Sequence, residues 1–229
     1  MTGSSFKDHF STQSDSYGKF RPEYPEKLFE YLASLGPGRD LVWDCACGTG
    51  QASRSLAHYF DQVMATDGSR RQIDNARGPD NVTFQVALAH QSPLADHSAD
   101  LVTVAQALHW FDLEAFYREV RRVVKPGGHI AVWSYAVTSV SPEIDETIGE
   151  LYNGLIGSYW PPERAHVEKG YKDLAFPFEA LQVPDLAMSV QWNFEQLMGY
   201  FGSWSAVARY KDALGHDPLQ LVENRILAA

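Results

Sequence analysis

The run Asp44-Cys45-Ala46-Cys47-Gly48-Thr49-Gly50 puts a carboxylate just ahead of a tight stretch of small residues, and a second acid, Asp67, follows 23 residues later. Gly48 and Gly50 allow a ligand to approach the backbone closely, and loop amides at a helix N-terminus favour an anionic group. Asp44 offers the opposite sign. A loop with a carboxylate for an ammonium and amides for a carboxylate suits an amino-acid moiety better than a pyrophosphate. An acid placed as Asp67 is can accept hydrogen bonds from both hydroxyls of a ribose. Together the two features ask for a nucleoside that carries an amino acid.

Those residues work together only if the chain brings strand ends side by side. Leu41–Trp43, Val63–Thr66, Val82–Val86, Ala99–Ala105 and His129–Tyr135 read as short apolar strands, with helices expected at Gln51–Tyr59, Ser69–Arg77 and Leu113–Val124 between them. Alternation of this kind predicts an α/β fold with a doubly wound, mostly parallel sheet, whose ligands lie beyond the carboxyl ends of the strands. Lys125-Pro126-Gly127-Gly128 is expected to stop the last of these helices. Ahead of the sheet, Phe6, Phe10, Tyr17 and Phe20 predict an ordered arm. Leu28, Phe29, Leu32 and Leu35 predict a helix that stops at Gly36-Pro37-Gly38. After Ser139 the prolines and scattered Trp and Tyr residues predict short helices inserted over the sheet. Leu186–Phe194 is expected as a sixth strand, Glu195–Leu214 as helical with Trp204, Val207 and Tyr210 inward, and Leu219–Ala229 as a closing helix. That leaves no seventh strand, and the open sheet edge could pair two copies.

The whole chain of 229 residues is expected to form a single domain: arm and helix over 1–36, ligand-binding core over 37–137, and lid insertion with C-terminal part over 138–229. A net charge of −10 argues against broad binding to nucleic acid or anionic membranes, so a small-molecule partner is expected, with the protein a monomer or homodimer. Cys45 and Cys47, the only cysteines, form neither a disulfide framework nor a zinc set, and no metal site is expected. No signal-like leader and no apolar run long enough to span a bilayer is read, so a cytoplasmic location is expected. Arg121-Arg122 reads as a solvated helix face.

The segment from about Tyr17 to Tyr135 resembles class I S-adenosylmethionine-dependent methyltransferases of the type 11 group, through DCACGTG, ATDGS, ADLVTVAQALHWF and RRVVKPGGHIAVW. S-adenosylmethionine is the amino-acid-bearing nucleoside that the two acids ask for. By this resemblance Asp44, Ala46, Gly48 and Gly50 hold its methionine part, and Asp67 with Gly68 its ribose. Ala89 and His90 lie beside the adenine, and Gln106 near the sulfonium. Tyr17 and Arg21, the latter in an Arg-Pro-x-Tyr-Pro segment, fold over the cofactor. Ala46 replaces the usual first glycine of the loop and is tolerated if its φ is negative; Gln72 and Leu88 replace residues that usually contact the adenine.

Methyl transfer is an in-line displacement that chiefly needs alignment and exclusion of water. Trp110, Tyr135 and Trp160 are the expected substrate-side aromatics, able to favour a sulfonium by cation–π attraction. For a hydroxyl or amine acceptor His109 is the expected general base, from its ordinary pKa near 6.5; a carboxylate acceptor needs none. Some relatives methylate small carboxylic acids, and by that analogy Arg21 is an anion clamp. Two other readings stay open: a cofactor-binding protein without turnover, and a nicotinamide-dependent oxidoreductase. Against the second, the third glycine of its fingerprint falls at Ser53.

Overall fold

The computed structural model describes residues 20–229. Five strands, β1 (Leu41–Cys45), β2 (Gln62–Asp67), β3 (Val82–Val86), β4 (Ala99–Ala105) and β5 (Val124–Trp133), form one sheet in the order β3-β2-β1-β4-β5. Every pairing is parallel; Val42 lies opposite Val63 on one side and Leu101 on the other. The central strands are covered on both faces, which is why they read as unbroken apolar runs: Val42, Trp43, Leu101, Val102 and Val104 are fully buried. The edge strand β3 instead alternates half-buried with exposed residues. Strand order reverses between β1 and β4, so the crevice of this fold opens at their carboxyl ends.

Helices α1 (Glu26–Ser34), α2 (Gln51–Leu56), α3 (Arg70–Asn75) and α4 (Leu113–Val123) connect and cover the strands. On one face Leu28, Phe29, Leu32, Leu56 and Phe60 pack on Val42, Val63 and Leu101. On the other, Phe116, Val120 and Val123 of α4 pack on Trp43, Val102 and Val104. Asp112 caps α4 by accepting from the Ala115 amide. Arg121 and Arg122 part company: Arg121 lies over the Phe178 ring, whereas Arg122 pairs with Glu119 and Asp96 and donates to the Leu94 carbonyl. Arg122 is therefore a clamp between α4 and the loop before β4, and the expectation of a merely solvated pair is corrected for it.

A second hydrophobic core lies in the C-terminal part. Helices α5 (Pro142–Gly149), α6 (Arg164–Glu168), α7 (Phe194–Gly202), α8 (Ser205–Leu214) and α9 (Glu223–Ala228), with a π-helical turn at Glu150–Leu155, form a cap. Ile148, Leu151, Ile156, Phe201, Trp204, Val207 and Ile226 fill it. Trp204, Val207 and Tyr210 face inward as expected.

Three expectations are corrected. Leu186–Phe194 forms no strand: residues 175–193 run without regular structure, and Leu181, Val183 and Val190 stay 47%, 67% and 45% exposed. The segment does alternate, with Leu186, Met188, Trp192 and Phe194 half-buried between exposed neighbours, but its backbone pairs with no strand among the described residues. Helix α4 stops at Val123, directly ahead of Lys125-Pro126-Gly127-Gly128 as expected, but these four residues lie within β5, which starts at Val124 instead of His129 and whose pairing with β4 shifts register between Ala99 and Leu101. Gly128 is fixed there by contact, since a Cβ would stand 2.7 Å from Val124 and 2.9 Å from the Asp100 carbonyl oxygen. The helical stretch Glu195–Leu214 is broken at Ser203 and Trp204 into two helices. Among the described residues no helix is long and apolar enough to cross a membrane. Phe6, Phe10 and Tyr17 lie outside the described residues.

Candidate functional site

At the end of β1 the loop turns sharply, with left-handed φ at Ala46 (57°), Gly48 (57°) and Gly50 (88°). The Ala46 value is positive, contrary to the condition set for it, so this residue holds a conformation that L-residues adopt only at a cost. Gly50 answers to packing, because a Cβ there would come within 2.7 Å of the Phe84 ring. Gly48 differs: a Cβ would meet only Gln72 Oε1 at 3.9 Å, so the space above it is open.

Asp67 ties this loop down. Its Oδ2 accepts from the Gly48 amide at 2.9 Å and its Oδ1 from the Ser69 amide at 2.8 Å. The half-buried carboxylate stands at the end of β2. Asp44 sits deeper, 1% exposed. Ser53 Oγ donates to its Oδ2 at 2.5 Å and Thr103 Oγ1 to its Oδ1 at 3.0 Å. Burial pushes the Asp44 carboxyl up to about 6 against these two hydrogen bonds, with the negative charge of Asp67 adding to the rise. The loop amides are partly committed, Gly48 to Asp67 and Gly50 to the Cys47 carbonyl. Cys45 and Cys47 are buried free thiols, with burial raising both pKa values, so neither is a reactive thiolate.

Two clefts lie beyond the carboxyl ends of the strands. One, about 750 Å³ including open solvent, lies beyond β2 and β3 and is lined by Gly68, Gln85, Val86, Ala87, Leu88 and Gln91, among others. Ala89 and His90 form the tip of a tight turn closed by the Leu88–Gln91 bridge and do not line it. The other, about 590 Å³ including open solvent, lies between the strand ends and the cap. Six residues singled out in the sequence meet there: Arg21, Gln106, His109, Trp110, Tyr135 and Trp160.

Gln106 follows β4 with φ 59° and donates its amide to the Trp133 carbonyl. Arg21 donates from Nη1 to Tyr135 Oη at 2.9 Å and from Nη2 to the Ser203 carbonyl at 3.4 Å, which latches the N-terminal segment to β5's exit and the cap. His109 shares a hydrogen bond of 2.9 Å between Nδ1 and Tyr171 Oη and packs on Trp110. Burial, then the charges of Arg164 and His166, lower its pKa to about 4, well below the value expected of it as a base. Sequence reasoning missed Arg164, Tyr200, Ser203 and Trp204 of the same cleft. Tyr200 and Trp204 carried only the signature of core aromatics. Arg164 did carry a signal, as the sole arginine between Arg122 and Arg209, four residues after Trp160.

The crevice suits S-adenosylmethionine. Gln72 Oε1 is buried without a partner beside Gly48, and Gln106 Nε2 is a second buried, unpartnered group at the end of β4. Acceptors at Asp44 and Asp67, open space at Gly48 and these spare amide groups fit a zwitterionic amino acid joined to a nucleoside.

A family profile described as a methyltransferase domain matches residues 43–132. A Dictyostelium discoideum protein named as a methyltransferase is 34% identical over 232 residues, across 100% of this chain and 88% of that one. A solved structure described as a type II methyltransferase, from Anaeromyxobacter dehalogenans, superposes with a TM-score of 0.86 at 44% identity, over 91% of this chain and 89% of that chain. A Saccharomyces cerevisiae protein named as an S-adenosylmethionine-dependent methyltransferase is 30% identical over 132 residues, 54% of this chain and 45% of that one. With the sheet order, the crevice and a relative matched over the full chain, this protein belongs to the class I S-adenosylmethionine-dependent methyltransferases.

Proposed function

We propose that the chain methylates a small molecule that enters the cleft under the cap, with a carboxylate or hydroxyl oxygen as the acceptor. The observation that carries this is the meeting of Arg21, Gln106, His109, Trp110, Tyr135 and Trp160 around one cleft beside the β1–β4 switch point. In this reading residues 1–229 act as one domain, with 37–137 holding the cofactor and 138–229 roofing the acceptor.

Asp67 and Gly68 hold the ribose, with Ala89 and His90 toward the adenine side. Gly48 and Gly50 admit the methionine part past Ala46, and Asp44 supplies negative charge beneath its ammonium. Tyr17 and Arg21 close over it. When bound, S-adenosylmethionine supplies an electrophilic methyl on a sulfonium. The chain's own residues do the rest: Gln106 borders the reacting space, Trp110, Tyr135 and Trp160 exclude water, and His109 offers a neutral imidazole. Buried free Cys45 and Cys47 fit a reducing, cytoplasmic setting, with the protein a monomer or homodimer and neither nucleic acid nor membrane as partner.

Calorimetry with S-adenosylhomocysteine, followed by transfer of labelled methyl into a low-mass metabolite fraction, tests the reading. Saturable binding with label in that fraction is expected. Label confined to protein or nucleic acid overturns the small-molecule assignment, and tight binding without any transfer favours the non-catalytic alternative.

A further inference from the structure

Past Gly68, the cleft beyond β2 and β3 offers a ligand only neutral groups. No Asp, Glu, Lys, Arg or His lines it among the described residues. The exit of β3 is held against β2 by the Ala87 amide, which donates to the Asp67 carbonyl at 3.1 Å. Leu88 and Gln91 then face each other as an antiparallel bridge, closed by the Gln91 amide donating to the Leu88 carbonyl at 3.0 Å. Side chains paired in this way stand on one side of the backbone, about 4.5–5.5 Å apart at Cβ. An apolar leucine and a carboxamide therefore share one wall of the cleft.

The acids behind this wall are committed. Glu119 is buried, accepts from the Ser92 amide at 2.8 Å and from Ser92 Oγ at 2.7 Å, and pairs with Arg122, so the one proton of the Ser92 hydroxyl is spent as well. What is left to read the edge of a ring is the carboxamide of Gln91, with that of Gln85 nearby, both on exposed residues. A carboxylate only accepts, so it would take the 6-amino group of adenine and turn away a 6-oxo group. A carboxamide carries an acceptor and two donors at the end of a broad, roughly two-fold torsion. Turned one way it matches adenine, which presents a donor at the 6 position and an acceptor at N1; turned the other way it matches hypoxanthine, which presents the reverse. Hydrogen bonding discriminates strongly only where the wrong ligand leaves a buried polar group unpaired. Here an exposed amide can turn, and leucine requires no partner.

We infer that Gln91 reads the base of the cofactor and that, with Leu88 rather than an acid facing it, the chain takes 6-amino and 6-oxo purine nucleosides alike. This rests on the proposed methyltransferase reading, in which Asp67 and Gly68 hold the ribose and so direct the base into this cleft, and it deepens that reading by setting the ligand class. Gln91 is a specificity-determining residue here.

The test is calorimetry on the full chain with S-adenosylhomocysteine and with S-inosylhomocysteine, its 6-oxo counterpart. In the unaltered protein the two are expected to bind within about fivefold of each other, and a larger gap overturns the inference. Gln91→Glu is nearly isosteric and, at an exposed position, spares the core. It fixes an acceptor where the amide could turn, so S-adenosylhomocysteine should now be preferred by more than about fivefold. Leu88→Asp, which brings the acceptor in from the facing position, should open the same gap. If either variant leaves the pair within about fivefold, the inference is overturned. The first criterion does not depend on any variant folding. Failure of the unaltered protein to bind S-adenosylhomocysteine overturns the methyltransferase reading instead.

Discussion

The cofactor loop and the acceptor cleft adjoin each other but are assembled in opposite ways. Asp44, the glycine loop and Asp67 come from one stretch of chain and are bound to one another by short-range hydrogen bonds, Gly48 to Asp67 and Ser53 to Asp44. The cleft draws Arg21, Gln106, Tyr135, Arg164 and Tyr200 from places as much as 180 residues apart, and the cap's aromatic core holds them together. One region is a local device that the sheet carries; the other exists only when two hydrophobic cores are both in place.

The sharpest way to break that contrast is Trp204→Ala. Trp204 is 4% exposed and packs on Tyr152, Trp160, Tyr200 and Phe201. Its loss should cost about 3–5 kcal/mol in denaturant unfolding. S-adenosylhomocysteine affinity should nonetheless change by less than about threefold, and an equal collapse of both would show that the regions are one unit. Asp44→Asn probes the loop from the other side. A folded pKa of about 6, above the ordinary 3.8, means that the proton's stabilisation is complete below about pH 4 and lost as pH rises through 6. At pH 7.5 the amide should therefore be more stable by up to about 3 kcal/mol while binding S-adenosylhomocysteine more weakly. The stability gain should vanish near pH 4, and equal unfolding midpoints at pH 7.5 would refute it.

Glu119 gives the reverse sign outside both regions. Burial alone would raise it, but Arg122 and Ser92 outweigh that and hold it at about 2. Its contribution is present above about pH 4.5 and fades as pH falls toward 2, so Glu119→Gln should cost about 2 kcal/mol at pH 7 and almost nothing in strong acid. A pH-independent deficit in urea titrations would contradict this. Smallest in energy is Asp67→Ala, expected to weaken S-adenosylhomocysteine by tenfold or more, about 1.4 kcal/mol; unchanged affinity by calorimetry would remove Asp67 from the site.

The same contrast explains what could be read from the chain. The central strands were legible because a strand covered on both faces is a short apolar run closed by a polar residue, as Val42 and Trp43 are by Asp44, and β3 at the edge was legible from its alternation. Gln106, His109 and Trp110 were legible because strand ends in this fold face its crevice. The sixth strand failed because apolar content at Leu186 and Val190 says nothing about whether a neighbour exists to pair with. Arg164, Tyr200 and Ser203 escaped for a related reason: whether a cap residue lines a cleft depends on how the helices settle together, and spacing along one helix does not encode that. The Arg121-Arg122 pair shows the limit most simply, since two adjacent identical residues on one helix have different partners.

Four non-glycine residues among those described have left-handed backbone, and three of them ring the crevice: Ala46, Gln106 and Tyr171, the last hydrogen-bonded to His109. Each holds a posture worth about 1–2 kcal/mol of strain. Replacing Ala46 by glycine should therefore relieve about 1 kcal/mol of that cost in denaturant unfolding, since glycine adopts the same backbone without strain.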